Sequence, residues 1–513
     1  MALSVPMTTM PAQPCVVSLI EAQAERDGSR VALIGRDRVL TFDAMNRAAN
    51  RLAGRLQEVF GPGSGFAAVC LPPGVERVIA VLGILKSGRG YVVIDPRLHD
   101  QGRRDLAGHA EALCVVTDPI LAAGFEPALR TLDVAGCWLP GRDHNPGLHP
   151  GPEAAAYLRY TSGSTGQPNG VLHNHRAALG QCLAFVETVG LHASDCICPF
   201  TFFPHGLMLG SLVTGAALHI VDTAGEGLRA IAGRIRQDRV SVLGCFPSIL
   251  RSLSVTLLPG GPLPDLRTVT LSGEPVTASD INLALRLMPE EGIAINNYGS
   301  SEFVQIASHA ISGALQEGDA VPVGRPPSGV EVRLIDAKGD AVAPGGIGEI
   351  TVRAPFMTSG YWKRPDLTQE VFGTPTPQDG RSHYRTGDVG CVGADGLLRI
   401  FGRVDNQIKL RAYRITPEEI ESVLLRHPTV AKAAVRAFAD GSGSPFLVAY
   451  LVPTPGEAVE PAEVRRFAQA HLPRHMVPSA FHSIEALPRT VGGKLDRSAL
   501  PGLDAQGRIG QGR

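Results

Sequence analysis

Lysine is scarce in this chain. Only six of its 48 basic residues are lysines, at positions 86, 338, 363, 409, 432 and 494, and the 48 bases face 49 acids for a formal net charge of -1. That balance leaves no global basic field to draw in nucleic acid, and 44% hydrophobic residues exclude a disordered polyelectrolyte. None of the nine cysteines forms a C-x-x-C pair, and Cys196 and Cys198 are too close in sequence for one tetrahedral zinc knuckle. The thiols therefore read as reduced, which points to a cytoplasmic protein. Residues 1–15 lack the basic segment and apolar run of a signal peptide, and the longest apolar stretch, 207–221, is broken by glycines and His219, so no membrane span is expected. The 59 glycines and 40 prolines have no three-residue period, so they mark tight loops of a globular protein rather than collagen.

At 513 residues the chain exceeds one small core and predicts two or three domains. After Thr41, apolar Phe42, Met45, Ala49, Leu52, Leu56 and Val59 recur every three or four residues, which predicts a capped amphipathic helix. Short apolar runs at 78–85, 91–94 and 113–117 read as buried strands of an α/β sheet. Between 321 and 353 short alternating strands with glycine and proline turns predict a small β-rich subdomain. After Gly402 the pattern resets. Thr416-Pro417-Glu418-Glu419 is a capping box opening a helix, followed by strands at 430–438 and 446–452, a helix at 461–472 and a strand near 481–484. The expected fold class is thus α/β: a large N-terminal region of several subdomains, residues 1–401, and a small, mobile α+β domain, residues 402–513, hinged near Asp405.

The segment richest in chemistry is Tyr160-Thr161-Ser162-Gly163-Ser164-Thr165-Gly166-Gln167-Pro168-Asn169-Gly170, placed between a strand-like run and a helix expected from His175. Its glycines and hydroxyls suit a loop that wraps a polyphosphate with backbone N–H groups and side chains. No Gly-Lys-Ser/Thr closes it, so it is not a Walker loop, and by composition alone it also fits a solvated linker. His173 and His175 lack a third nearby metal ligand and read as helix-start or polar-loop residues; His471 and His475 read as surface.

The loop resembles the phosphate-binding signature of the adenylate-forming superfamily, which includes acyl-CoA synthetases, luciferases and the adenylation domains of nonribosomal peptide synthetases. Further matches follow in order: Leu85-Lys86-Ser87-Gly88, Asn297-Tyr298-Gly299-Ser300-Ser301-Glu302, Gly360-Tyr361-Trp362, Tyr384-Arg385-Thr386-Gly387-Asp388, Gly402-Arg403-Val404-Asp405 and Gly492-Gly493-Lys494-Leu495-Asp496-Arg497. The wording around Lys494 is most similar to the peptide-synthetase branch. The resemblance implies attack of a carboxylate on the α-phosphate of ATP, with magnesium. Lys494, Glu302 and Thr161 are then the expected catalytic residues, Glu302 as the magnesium ligand. Ser162, Gly163, Ser164, Thr165, Gly166, Asn169, Asn297, Tyr298, Gly299, Ser301, Asp388 and Arg403 are expected around the nucleotide, Tyr298 on adenine and Asp388 on the ribose hydroxyls. Phe202, Phe203, His205, Met208, Phe246, Ser272 and Gly273 are expected around the acid.

Departures from the family pattern sharpen the expectation. Asn169 stands where the phosphate loop usually has lysine, Ser301 replaces a threonine, Asn406 a frequent aspartate, and Ala412 a glycine beside the expected pantetheine tunnel. No acidic residue occurs between Phe200 and Val221, where amino-acid-activating relatives carry the aspartate that pairs with the substrate ammonium. The expected substrate is therefore an apolar aryl or alkyl acid without an α-amino group. The expected acceptor is the thiol of a carrier protein acting in trans. Free CoA or an amine are the alternatives, and a nucleotide-binding pseudoenzyme is the alternative of another class.

Overall fold

The computed structural model describes residues 14–161, 169–200, 205–317, 319–373, 383–404, 408–410, 413–415, 417–439, 445–472, 476–489, 495–497 and 499–502. The chain divides into two compact units. The first comprises Met1–Val332 and Val352–Tyr384, the second Arg333–Thr351 and Arg385–Arg513. The α/β class expected from the sequence is what the structure has.

Two sheets organise the first unit. In the larger, the strand order is Ala307–Ile311, Ile293–Tyr298, Thr268–Ser272, Val242–Cys245, Cys196–Pro199, Ala217–His219, Val31–Ile34, Val39–Thr41. Its inner pairs are parallel and its two edge strands antiparallel, so its middle strands are apolar on both faces, as buried parallel strands are. The second sheet has the order Thr131–Asp133, Ala112–Thr117, Phe66–Cys70, Gly90–Val93, Ala155–Thr161, Asn169–Asn174. Helix Phe42–Phe60 begins where the spacing predicts, with the Thr41 hydroxyl accepting from the Ala44 N–H at 3.2 Å.

One local expectation needs correction. Residues 78–85 are not a strand: they lie inside helix Val75–Lys86, in which every residue from Val78 to Lys86 is buried. A helix covered all round loses the 3.6-residue stripe that distinguishes it from a buried strand. The helix expected from His175 is there, reached from the phosphate-loop segment through a strand. Asn169–Asn174 is a strand that turns back antiparallel onto Ala155–Thr161, and helix His175–Val189 starts only after it.

In the second unit, strands Glu331–Ile335, Ile347–Arg353, Tyr384–Val392 and Leu398–Arg403 form one sheet, which fulfils the β-rich texture expected there. Strands Val430–Ala439, Pro445–Pro453 and Ala480–Ser483 form another, with helices Pro417–Leu424 and Pro461–His471 on a core of Ile420, Leu424, Val435, Leu447, Leu451 and Val464. Thr416 and His475 lie outside the described residues, and His471 is exposed, as expected. Among the described residues no helix is long and apolar enough to cross a membrane. All nine cysteines are free, eight of them buried.

Lys86, one of the few lysines, is a core residue. It is 1% exposed and ion-paired with Glu21, which also bonds His149 at 3.0 Å, while Asn145 accepts from Lys86 at 3.3 Å. The group ties helix Val16–Asp27 to helix Val75–Lys86. Removing one member of a buried pair strands the other charge, so Lys86→Met should lower the unfolding free energy by about 3–5 kcal/mol, and adding Glu21→Leu should recover most of it. Urea unfolding of the single and double variants checks this. Equal losses in both would mean that packing, not charge, holds the site.

Candidate functional site

Strands Thr268–Ser272 and Ile293–Tyr298 run parallel with Ser272 opposite Asn297, so their carboxyl ends bring Ser272, Gly273, Asn297 and Tyr298 together. That is the end of an open α/β sheet at which ligands bind. Asn297 is 7% exposed, and its Oδ1 has no hydrogen-bond partner. A buried orphaned acceptor there suits a ligand that carries a donor. The chain then turns sharply at Gly299, where a Cβ would collide with the Val304 carbonyl, and delivers Glu302.

Glu302 is held from two sides. The Tyr361 hydroxyl donates to its Oε1 at 2.8 Å, and the Tyr384 hydroxyl lies 3.3 Å from its Oε2 and 2.9 Å from the Ser300 Oγ. Ser300 Oγ in turn accepts from the N–H groups of Glu302 and Phe303 at 3.2 and 3.1 Å. Tyr361 is placed by backbone pairing: residues 359–362 add to the outer edge of Asn169–Asn174 through Leu172 N to Gly360 O, Ser359 N to Leu172 O and Trp362 N to Gly170 O, at 2.7–2.8 Å. The sequence reading missed both tyrosines as partners of Glu302, although each sits in a motif it quoted. Among the described residues no group of three or more His, Cys, Asp or Glu side chains is arranged to hold a metal ion. A cation at Glu302 would therefore have one protein carboxylate and complete its shell with water and substrate oxygens. This is how magnesium binds beside phosphates, and the donor fits it.

The hairpin 155–174 lies alongside. Its cross-strand pairs Tyr157–His173, Arg159–Val171 and Thr161–Asn169 share one face. Leu158, Tyr160 and Leu172 belong to the opposite face, packed with Phe66 and Trp362. On the first face Tyr91, Tyr157 and His173 stack with centroids 5.4 and 4.3 Å apart, and His173 Nε2 donates to the Ser301 carbonyl at 3.0 Å. That bond joins the hairpin to the Glu302 segment. His175 opens helix His175–Val189, buried, with neither ring nitrogen hydrogen-bonded.

The acid-binding candidates fall at the neighbouring strand ends. The Phe246 ring lies so close to Gly273 that a Cβ there would sit 2.5 Å from it, and Gly273 has φ +81°. Met208, expected around the acid, is 7% exposed and packs in the main core, and the Leu207 side chain lies against Gly244 on the strand leading to Phe246. Both belong to a short π-helical turn, His205–Leu209, whose rotation the sequence pattern does not reveal. Glu274, next to Gly273, is committed to the start of helix Pro247–Leu257, accepting from Ser248 N at 3.0 Å and Oγ at 2.8 Å.

In the second unit Asp388 and Arg403 face each other across the ladder, Nη1 to Oδ1 3.2 Å. Gly387, φ +71°, leaves room for that guanidinium, which would lie 2.7 Å from a Cβ. Ser162, Gly163, Ser164, Thr165, Gly166, Phe202, Phe203, Asp405, Asn406, Ala412 and Lys494 lie outside the described residues, as do the side chains of Thr161 and His205.

Burial holds the His173 imidazole down at about 3, with Arg159 adding to the effect, and burial alone holds His175 at about 4. Both are neutral when folded and take up a proton on unfolding below their ordinary value of 6.5. The stability they preserve at neutral pH is lost as pH falls from 6.5 towards 4. Replacing His175 by Gln should flatten the pH dependence of unfolding in that window by up to about 1.4 kcal/mol per pH unit. Urea unfolding at fixed pH measures it; an unchanged slope would mean that the ring is protonated in the folded chain.

The chain matches the family model for AMP-binding enzymes over residues 20–362 and that for the AMP-binding enzyme C-terminal domain over 419–494. It is 35% identical to novobiocin biosynthesis protein H of Streptomyces niveus, covering 96% of this chain and 83% of that protein. It is 32% identical to tyrocidine synthase 3 of Brevibacillus parabrevis, covering 94% of this chain but spanning only 8% of that much longer protein. The crystal structure of the anthranilate CoA ligase AuaEII in complex with anthranoyl-AMP has the same fold, with a TM-score of 0.81 at 22% identity over 96% of this chain and 97% of that one. With both models matched in order and the alignments running nearly end to end, the chain belongs to the AMP-binding enzyme family, that of the adenylate-forming ligases.

Proposed function

We propose that the chain activates a carboxylic acid with ATP, giving acyl-AMP and pyrophosphate, and then passes the acyl group to the phosphopantetheine thiol of a carrier protein. The observation that carries the first half is the Glu302 carboxylate, fixed by Tyr361 and Tyr384 beside the strand end that presents the orphaned Asn297 Oδ1. In this reading Asn297 accepts from the adenine amino group and Tyr298, with Gly299 at the turn, packs on the base. Asp388, steadied by Arg403, accepts the ribose hydroxyls. Thr161, Ser162, Gly163, Ser164, Thr165, Gly166 and Asn169 surround the leaving phosphates, with Ser301 behind them. Glu302 holds magnesium, which when bound neutralises charge on the phosphate oxygens.

In the reaction, one acid oxygen bonds to the α-phosphorus and the bridging oxygen to the β-phosphate leaves with its electron pair as pyrophosphate. Lys494 spans the acid carboxylate and the α-phosphate, a fixed charge where negative charge collects. The segment 402–513 then swings about Asp405 to admit the thiol, with residues 1–401 holding the adenylate. Phe202, Phe203, His205, Met208, Phe246, Ser272 and Gly273 line the acid pocket. Two features favour an aryl or alkyl acid without an α-amino group. No carboxylate occurs from 200 to 221, and the one beside Gly273, Glu274, is occupied with Ser248. The similar fold that carries anthranoyl-AMP also holds an aryl acyl-adenylate.

Acid-dependent exchange of labelled pyrophosphate into ATP tests the proposal. Aryl and alkyl acids should support exchange better than α-amino acids, and Lys494→Ala should lower it by about 10². A holo carrier protein should discharge the adenylate faster than CoA or an amine. No exchange with any acid by folded protein would refute the activation step. Preference for an α-amino acid would refute only the substrate class.

A further inference from the structure

A phosphate loop without a cation leaves pyrophosphate charge uncompensated, and from Tyr160 to His175 this sequence has no lysine or arginine. Two arginines bracket the stretch. Arg176 is exposed and paired with Glu153 at the far end of the hairpin. Arg159 sits two residues before Thr161 on the same strand, and the cross-strand register puts Arg159, Thr161 and Asn169 on one face. Its electrostatic neighbours are Tyr157, Glu302, Tyr91 and His173. Glu302 acts on it only at a distance: that carboxylate accepts from Tyr361 and Tyr384 and favours the charged guanidinium, while among the described residues Arg159 forms no ion pair or hydrogen bond with any side chain.

We propose that Arg159 is the phosphate-binding cation of this enzyme, standing in from the neighbouring strand position for the lysine absent at Asn169 and engaging the pyrophosphate-forming end of ATP. The inference rests on the reading of the site as an ATP site. Burial pulls the Arg159 guanidinium below its ordinary value, and Tyr157, Glu302 and Tyr91 offset this only in part. Such burial is costly unless a partner arrives, and a polyphosphate supplies one. The planar guanidinium also matches two phosphate oxygens at once, which Asn169 cannot do. Its position near Glu302 would place the arginine and the magnesium carboxylate on the same phosphates, a division of charge that explains how the loop dispenses with its own cation.

The test uses Arg159→Met, Arg159→Lys, and Arg159→Met combined with Asn169→Lys, in the full chain. Binding of AMP, of MgATP and of inorganic pyrophosphate is measured by calorimetry, with the melting temperature of the unliganded protein. Loss of a charge-assisted contact should weaken MgATP and pyrophosphate by about 10- to 100-fold in Arg159→Met while AMP binding holds. Melting should stay level or rise, because a buried unpaired charge has gone. Arg159→Lys, and Asn169→Lys added to Arg159→Met, should each restore part of the pyrophosphate affinity. Unchanged MgATP and pyrophosphate binding in Arg159→Met would overturn the proposal. So would lower melting with AMP affinity lost in parallel, since that marks a structural arginine. Failure of the unaltered protein to bind AMP or ATP would instead overturn the nucleotide-site reading.

Discussion

The site depends on one carboxylate being unable to turn. Glu302 has a phenol hydroxyl at each oxygen, and its own N–H is tied to Ser300, which also bonds Tyr384. A lone carboxylate on a loop would sample several rotamers and lose that freedom on binding a ligand. Here the ordering is complete before a ligand arrives, which is the physical content of preorganisation. Tyr361 reaches Glu302 because its backbone extends the edge of the hairpin sheet, and His173 ties that hairpin to Ser301. Backbone pairing therefore joins Tyr361 to the hairpin, and the buried His173 ring joins the hairpin to the Glu302 turn.

This arrangement explains why the parallel strands end where they do. Ser272 and Asn297 are paired neighbours, Gly273 yields its side-chain space to Phe246, and Gly299 yields its own to the Val304 carbonyl. The Phe246 ring and the polar Asn297 side chain thus issue from neighbouring strand ends. The aromatic stack of Tyr91, Tyr157 and His173 lies on the same hairpin face as Arg159.

Much of this was legible in the sequence because motifs specify local geometry. The Asn297–Glu302 run and the Thr41 cap each name backbone needs that few residues meet. Other features were not legible, for reasons that differ. Helix Val75–Lys86 looks like a strand because burial on all sides erases its period. The strand Asn169–Asn174 hides behind a loop motif whose partner strand lies upstream. Tyr361 and Tyr384 bond Glu302 across 59 and 82 residues of chain, a separation that no local pattern encodes.

The central claim is that Glu302 is a preordered metal-and-phosphate anchor, and the magnesium concentration giving half-maximal ATP binding addresses it directly. Comparing the unaltered protein with Glu302→Gln keeps the size and the tyrosine donors but removes the charge. The account predicts that the variant needs about 10-fold more magnesium or beyond, as expected when a hard anionic ligand is lost, with AMP binding in the absence of metal unchanged. The same magnesium requirement in both proteins would contradict it.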